Sequence, residues 1–259
     1  MERLDKFISE RTELSRKDVK TALKKGEVRV NGKAVKDPAQ KISPENDTVE
    51  INGKKLIYKP HTYIMLNKPD GYVCSTRDGL SETVLGLVPD ELRVKGLFPA
   101  GRLDKDSRGF VFLTDDGALA HRILSPKKHL TKYYLVKLWE EYKTEYEKAF
   151  SDGLVIDGDE KCLPAKVSPI THDKKYALVG LCEGKFHQVK IMFQAVGNRV
   201  EVLFRVQIGG LPIDGNLAPG EWLELLNNDV EKMLSEVGFK DVLKSVEKDF
   251  WAYLINNKL

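Results

Sequence analysis

One carboxylate stands out by its position: Asp104 lies in a loop, residues 101–108, that is rich in Gly, Arg and Ser. An apolar run, residues 109–114, follows at once and predicts a buried strand, and Asp116 and Gly117 predict a turn after it. A carboxylate on a loop that a rigid strand positions can act as a nucleophile or as a general base. Most loop aspartates only cap a turn or a helix, so the pattern alone leaves a structural role and a catalytic role open for Asp104.

A second group of chemically capable residues lies in residues 181–193. Val189, Met192 and Phe193 have the spacing of an apolar helical stripe, and Lys190 lies beside that stripe. A lysine in this position either extends its ammonium to water or meets a buried carboxylate that keeps both groups ionised. Local physics favours the first arrangement, and an Asp104–Lys190 ion pair is the alternative.

Two further segments must position these side chains. Residues 63–68 predict a strand that Pro69 ends, because proline has no amide N–H to donate to a sheet. Residues 130–138 predict another strand, in which Tyr134 faces one side of a sheet and Tyr133 the other.

The N-terminal segment, residues 1–59, is basic, with 15 Lys and Arg residues against 10 Asp and Glu residues, while the whole chain carries only +3. Ser15 and Asp18 predict the capped start of a helix. The Asn-Gly pairs that begin at Asn31 and Asn52 predict two β-hairpins. A basic end on a nearly neutral protein favours an anionic partner, although a solvated surface without a partner has the same composition.

Composition excludes several classes of protein. The 259 residues are 41% hydrophobic, and no apolar run approaches the roughly 20 residues of a membrane-spanning helix. The charged N-terminus does not resemble a signal peptide. We therefore expect a cytoplasmic globular protein that does not bind membranes, with free thiols and no metal site at its three cysteines, Cys74, Cys162 and Cys182.

Four short pieces of the basic segment carry a family resemblance: residues 3–8, 15–16, 26–28 and 30–33. Together they resemble the S4 RNA-binding domain, a class that binds structured RNA through shape and phosphate charge. Arg16, Lys20 and Lys24 are four residues apart and line one stripe of the predicted helix. The resemblance implies an RNA-binding surface composed of Arg3, Arg16, Lys17, Lys20, Lys24, Arg29 and Lys33.

Four motifs in the rest of the chain carry a second resemblance: residues 101–104, residues 132–136, residues 183–190, and residues 209–211 with 219–222. In this order they resemble the motifs of the pseudouridine synthases, and among them the S4-containing branch that modifies ribosomal RNA. The implied substrate is a uridine of small-subunit 16S rRNA. The family often has Arg where Ile191 stands, and residues 227–259 have no counterpart that we recognise.

The resemblance implies a role for each matching residue. Asp104 is the catalytic carboxylate, Lys190 its ionic partner, and Tyr134 stacks on a uracil flipped out of the RNA. Asp106 is expected to shape the loop or face the RNA. Substrate and product are isomers, so we expect no cofactor and no metal. The implied substrate-binding residues are Arg102, His187, Gln188 and Leu211, the last beside the base.

These observations predict an α+β protein. We expect an S4-type domain over residues 1–59, a catalytic domain with a mixed, mainly antiparallel sheet over residues 60–226, and a helical extension over residues 227–259. Apolar spacing across residues 229–243 predicts helices that pack on their own domain or bind a partner. The expected partner is ribosomal RNA or a pre-ribosomal particle, bound by a monomer. The same reaction on 23S rRNA, or a non-catalytic RNA-binding or ribosome-assembly factor with a degenerate synthase fold, remain alternatives.

Overall fold

The computed structural model describes residues 1–56, 59–125, 130–156 and 160–251. The chain divides into two compact units, Met1–Pro60 and His61–Leu259. Because residues 252–259 lie outside the described ranges, the predicted helical extension is described only as far as Trp251. Within the described ranges, every helix is too short or too polar to cross a lipid bilayer.

The N-terminal unit combines two helices with short strands. Its helices are α1 (Leu4–Ser9) and α2 (Arg16–Lys25). Its strands are β1 (Glu2–Arg3), β2 (Val28–Val30), β3 (Lys33–Ala34), β4 (Lys41–Ile42), β5 (Val49–Ile51) and β6 (Lys54–Leu56). Strands β3, β2, β5 and β6 form an antiparallel sheet in that order, and β1 pairs with β4.

The local predictions for this unit are confirmed. The Ser15 side chain accepts a hydrogen bond from the Asp18 amide, and the Asp18 carboxylate accepts one from the Ser15 amide, which is the reciprocal cap expected at the start of α2. Asn31 and Gly32 have φ angles of 51° and 77°, the conformation of a two-residue hairpin turn. Apolar side chains of both helices, among them Phe7 and Leu23, bury the inner face of the sheet.

The second unit is built on one large sheet with helices on both faces. Its strands are β7 (Tyr63–Lys68), β8 (Phe98–Pro99), β9 (Arg108–Thr114), β10 (Lys132–Leu138), β11 (Val155–Ile156), β12 (Glu160–Lys161), β13 (Lys166–Ile170), β14 (Asp173–Leu181), β15 (Val200–Ile208), β16 (Leu211–Pro212) and β17 (Trp222–Glu224). Its helices are α3 (Gly117–Leu124), α4 (Glu145–Asp152), α5 (Gln188–Ala195), α6 (Asn227–Met233) and α7 (Phe239–Ser245), with 3₁₀ turns at Val84–Leu87 and Asp90–Leu92 and a π-helical turn at Val246–Phe250.

The large sheet has the strand order β13-β14-β10-β15-β9-β7-β17, with β16 on β15 and β8 on β9. Among the described strands, β9 and β15 run parallel and the other pairs run antiparallel, which confirms the mixed, mainly antiparallel sheet of an α+β protein. At the parallel contact, a Cβ on Gly109 would lie 2.5 Å from the carbonyl oxygen of Arg205. Only glycine allows the two backbones to come this close.

Alternation along β10 divides the interior into two apolar clusters, as predicted. Tyr133 belongs to the cluster that also holds side chains of α3, α6 and α7. Tyr134 belongs to the cluster on the other face, with side chains of α4 and α5. The two neighbouring tyrosines therefore lie on opposite faces of the sheet, and Tyr134 shares its face with α5.

One prediction about a turn is wrong in detail. Asp116 and Gly117 begin α3 instead of forming a turn, because the Asp116 carboxylate caps the helix by accepting the Leu119 amide at 2.9 Å. The helices predicted from the apolar spacing of residues 229–243 are present as α6 and α7. The chain bends between them, and the carbonyl of Val237 accepts a 2.7 Å hydrogen bond from the Tyr133 hydroxyl.

Candidate active site

The loop that carries Asp104 is fixed by contacts to its main chain. The Asp104 carbonyl accepts a hydrogen bond from the Ser107 amide at 3.0 Å, which closes a turn. Lys68, at the end of β7, is completely buried beneath this turn. Its Nζ donates hydrogen bonds to three carbonyl oxygens, those of Pro69 (3.1 Å), Lys105 (3.1 Å) and Ser107 (2.6 Å).

Lys68 is a site residue that the sequence analysis missed. Burial lowers the pKa of its ammonium, and the charges of nearby carboxyl and thiol groups oppose that change. The available signal was a lysine at the end of an otherwise apolar strand. Such a lysine is buried with its strand, and a buried ammonium needs several hydrogen-bond acceptors close by. The sequence does not reveal that those acceptors belong to the Asp104 loop.

Lys190 bridges two carboxylates of that loop. Its Nζ lies 3.0 Å from Asp104 Oδ2 and 2.6 Å from Asp106 Oδ1. The side chains of Asp104 and Lys190 are 23% and 20% exposed, whereas that of Asp106 is 69% exposed. The structure therefore contains the predicted Asp104–Lys190 ion pair, and it adds a second carboxylate that was not predicted as a partner.

The charges in this cluster support one another. Burial alone would lower the pKa of Lys190, but hydrogen bonds to Asp106 and Asp104 and their negative charges raise it. Burial would likewise raise the pKa of Asp106, and the hydrogen bond from Lys190 together with its positive charge outweighs burial and lowers it. At neutral pH the ammonium is therefore fully protonated.

A pocket opens beside the ion pair, between the loop, β10, β15 and the start of α5. Tyr134 and Leu203 form apolar parts of its wall, and both belong to the cluster beneath α5. The residues lining the pocket are Arg102, Leu103, Asp104, Tyr134, Leu181, Gly184, Lys185, His187, Gln188, Val189, Lys190 and Leu203. A carboxylate, an ammonium and an aromatic ring from distant parts of the chain thus face one pocket.

Two buried cations lie on the strands next to the pocket, and one of them is near the Tyr134 ring. The guanidinium carbon of Arg205 is 6.0 Å from the ring centroid, and Arg205 Nε donates to the Phe110 carbonyl at 2.7 Å. Lys132, two residues before Tyr134, is also buried. Burial, with the nearby charge of Arg205, lowers the pKa of Lys132 to about 8.

The predicted substrate-binding residues separate into three groups. His187 and Arg102 lie at the edge of the pocket, and His187 Nε2 is 3.4 Å from Asp104 Oδ1. Gln188 lines the pocket, but its amide is engaged within its own loop: its oxygen accepts the Lys185 amide at 2.9 Å, and its nitrogen donates to the Glu183 carboxylate.

Leu211 does not join this group. It is buried on the Tyr133 face of the sheet, opposite the pocket. In the pairing of β16 with β15, Leu211 lies directly across from Ile208, whose side chain belongs to the same cluster as Tyr133. The adjacent Gly209 and Gly210 explain the rest of this motif, since a Cβ on Gly209 would collide with the Met233 carbonyl at the end of α6. Gly209 and Gly210 therefore allow α6 to pack closely, and Leu203 forms the apolar wall that was expected from Leu211.

The seven basic residues predicted to bind RNA are all exposed on the N-terminal unit. Arg3 differs from the rest because its guanidinium binds the buried Asp5 carboxylate with two hydrogen bonds, of 3.0 and 2.8 Å. The pKa of Asp5 is lowered by these bonds. Arg3 thus stabilises the unit itself, while Lys20 and Lys24 on α2 project from the surface.

Comparison with known proteins assigns both units. The model of the RNA pseudouridylate synthase family matches residues 62–195, and that of the S4 domain matches residues 2–49. The chain is 42% identical to an uncharacterized RNA pseudouridine synthase of Bacillus subtilis, YtzG, over 88% of this chain and 96% of that protein. It is 40% identical to ribosomal small subunit pseudouridine synthase A of Vibrio vulnificus, over 89% of this chain and 99% of the relative.

A solved structure agrees with these sequence relationships. A crystal structure of a pseudouridylate synthase superimposes with a TM-score of 0.63 and 39% sequence identity, covering 90% of this chain and all of that one. Coverage this extensive includes both the basic N-terminal unit and the sheet that carries the Asp104 loop. The chain therefore belongs to the RNA pseudouridylate synthase family, whose members isomerise uridine in RNA to pseudouridine.

Proposed function

We propose that this enzyme converts one uridine of small-subunit 16S rRNA to pseudouridine, with Asp104 as its catalytic carboxylate. The observation that carries the proposal is the Asp104–Lys190 ion pair beside a pocket walled by Tyr134. The choice of RNA is supported by relatives at about 40% identity that are named ribosomal small subunit pseudouridine synthase A.

The reaction breaks the N1–C1′ bond of uridine and forms a C5–C1′ bond after the detached base has turned. Asp104 starts this sequence either by attacking the sugar or base as a nucleophile or by removing a sugar proton as a base. Both routes require an ionised carboxylate. The Lys190 ammonium lies 3.0 Å from Asp104 Oδ2 and pairs with it as a counter-ion.

The pocket accepts a base only after it has left the RNA stack. Flipping the base out of the RNA stack costs a few kcal/mol, and stacking of the uracil on Tyr134 would offset roughly 1–3 kcal/mol of this free energy. Leu203 and Tyr134 exclude water from one side of the pocket, so the detached base is kept in place until it rejoins the sugar. Arg102, exposed at the edge, is available to hold the displaced strand.

Asp106 and His187 act on the same carboxylate indirectly. Asp106 shares the Lys190 ammonium and so fixes the direction in which Nζ points. His187 Nε2 lies 3.4 Å from Oδ1, the other oxygen of that carboxylate, and limits the orientations open to it. Both are positioning residues, and neither replaces Asp104 in the chemistry.

The S4 unit supplies a basic surface for the ribosomal RNA, or for a partly assembled particle that exposes it. One chain carries every side chain that the reaction uses, so a monomer is sufficient for activity. We also propose a cytoplasmic location, because no disulfide joins Cys74, Cys162 and Cys182 in the part of the chain that the structure describes.

The test uses the purified full chain with 16S and 23S rRNA transcripts labelled with tritium at C5 of uridine. Because the C5–H bond is replaced by C5–C1′, tritium release reports the reaction directly. We expect release from 16S rRNA equivalent to one uridine, which chemical mapping of pseudouridine then locates. Partly assembled small subunits are assayed in parallel. Release from 23S rRNA alone would contradict the proposed target, and release from none of these substrates would contradict the whole proposal.

A further inference from the structure

Phe186 is a large apolar side chain that remains 70% exposed at the edge of the candidate active site. Its ring stacks on that of His187, with centroids 3.8 Å apart and planes inclined by 19°. His187 has a φ of 49°, a left-handed conformation that few residues other than glycine adopt. The left-handed backbone at His187 fixes the direction of its ring, and His187 Nε2 lies 3.4 Å from Asp104 Oδ1, so the aromatic pair stands beside the catalytic carboxylate.

The aromatic pair borders a groove that adjoins the pocket. Arg102, Leu103, Asp104 and His187 line both cavities, so the groove and the pocket meet at the catalytic carboxylate. The groove has a volume of about 460 Å³, within the range of roughly 300–1,000 Å³ of small-ligand sites. Its remaining lining consists of Val73, Cys74, Ser75, Asp78, Lys105 and Phe186.

We propose that this groove binds the nucleotide next to the target uridine, with its base stacked on Phe186. The inference rests on the proposed function, because a neighbouring nucleotide exists only if the pocket takes a base from an RNA strand. Flipping one base removes a stacking partner from the next one. An exposed aromatic ring replaces that partner for any base, since every base has a π-face.

The charges along the groove fit a single strand of RNA. Arg102 and Lys105 are exposed at its edge and provide positive charge for a phosphate, and Lys105 Nζ is held by Ser81 Oγ at 3.1 Å. Besides Asp104, Asp78 is the acidic residue in the lining of the groove. Its carboxylate already accepts the amides of Leu80 (2.9 Å) and Ser81 (2.7 Å), which satisfy much of its charge.

The stacking is tested with a short single-stranded RNA that carries 2-aminopurine next to a central uridine, because the fluorescence of this base is quenched when it stacks. The variants are Phe186→Ala, Phe186→Leu and Phe186→Tyr in the full chain. We expect quenching with the wild type and Phe186→Tyr, and its loss with Phe186→Ala and Phe186→Leu, since leucine keeps the apolar area but not the ring. Equal quenching by all four proteins, or none by the wild type, would overturn the proposal.

Kinetics provide the second readout. Loss of one stacked base predicts a decrease in kcat/KM for rRNA of about 5- to 150-fold for Phe186→Ala, with Phe186→Tyr within about twofold of the wild type. Asp104→Asn separates the two proposals, because it should decrease tritium release about 10²- to 10⁴-fold and leave the quenching intact. If Asp104→Asn stays active, the proposed chemistry fails while the stacking result still stands. If the Phe186 variants match the wild type in quenching and in kcat/KM while Asp104→Asn loses activity, the groove proposal fails and the proposed chemistry stands.

Discussion

The two units place their charges in opposite ways. In the N-terminal unit, the lysines and arginines of α2 are exposed and project into solvent. In the catalytic unit, Lys68 and Lys132 are buried, and Lys190 is largely covered between two carboxylates. Exposed charges attract a polyanion additively and at long range, whereas buried charges act on single atoms at fixed distances. The contrast predicts that substitutions in the first unit have small graded effects and those in the second have large specific ones.

The largest effect is expected for Asp104→Asn. The amide keeps the shape of the side chain but cannot act as nucleophile or base, so single-turnover tritium release should decrease about 10²- to 10⁴-fold. Binding of rRNA, measured by filter retention, should not change. The matched control is Asp106→Asn, which makes the same replacement on the exposed partner of Lys190 and should cost at most about fivefold. Equal losses in the two variants would show that the reaction does not distinguish between the carboxylates.

Replacing the buried Lys132 by Met should stabilise the protein. The folded pKa of about 8 lies below the ordinary value of 10.5, so the unfolded chain binds the proton more tightly and the charged lysine opposes folding. The free energy of unfolding in urea should rise by roughly 3 kcal/mol below pH 8, and the gain should shrink between pH 8 and pH 10.5. Lys137→Met, on the same strand but partly exposed, should change it by about 0.5 kcal/mol or less at any pH. A gain that does not depend on pH would indicate better packing instead of relief of a buried charge.

Lys190→Met should slow the reaction by about 10- to 100-fold, the effect of losing one hydrogen bond to a charged group. The measurement is again single-turnover tritium release, with Lys185→Met as the control. Lys185 lies just before α5 and lines the same pocket, but its ammonium pairs with Glu160 at 3.0 Å and has no ion pair with Asp104 among the described residues, so its loss should cost at most about fivefold. A full rate in Lys190→Met would remove the ion pair from the mechanism.

The smallest effect is expected for the double variant Lys20→Ala, Lys24→Ala in the N-terminal unit. The slope of log affinity against log salt concentration should decrease in magnitude by about 1 to 2, with kcat unchanged. The control removes two exposed lysines from the catalytic unit, Lys174→Ala with Lys175→Ala, at the start of β14. The same decrease in both double variants would mean that net charge, and not the S4 surface, determines binding.

The features that sequence predicts well depend on neighbouring residues. The cap at Ser15, the turn at Asn31 and the strand with opposed Tyr133 and Tyr134 are each determined within a few positions, and all are present. Where tertiary contacts intervene, local sequence says less about where a helix ends. The bend after Met233 is an example, because the carbonyls at the end of α6 pack on Gly209 and Gly210.

The site was predictable only in part for the same reason. The pairing of Asp104 with Lys190 followed from the family resemblance, since local spacing favoured a lysine that reaches water. The resemblance did not place Leu211 correctly, because its side chain direction depends on how β16 pairs with β15. Lys68 and Phe186 were missed because their roles depend on which backbone or cavity lies beside them.

The way in which Lys68 holds the Asp104 loop has a consequence for how such an enzyme diversifies. All three acceptors are carbonyl oxygens, so these hydrogen bonds do not depend on which side chains the loop carries. The residue at position 105 can therefore be replaced, which changes what the groove recognises, while the Asp104 carboxylate keeps its position. Selectivity for the RNA and reactivity can therefore change independently, because Lys105 and Asp104 lie on the outward and inward sides of one short turn.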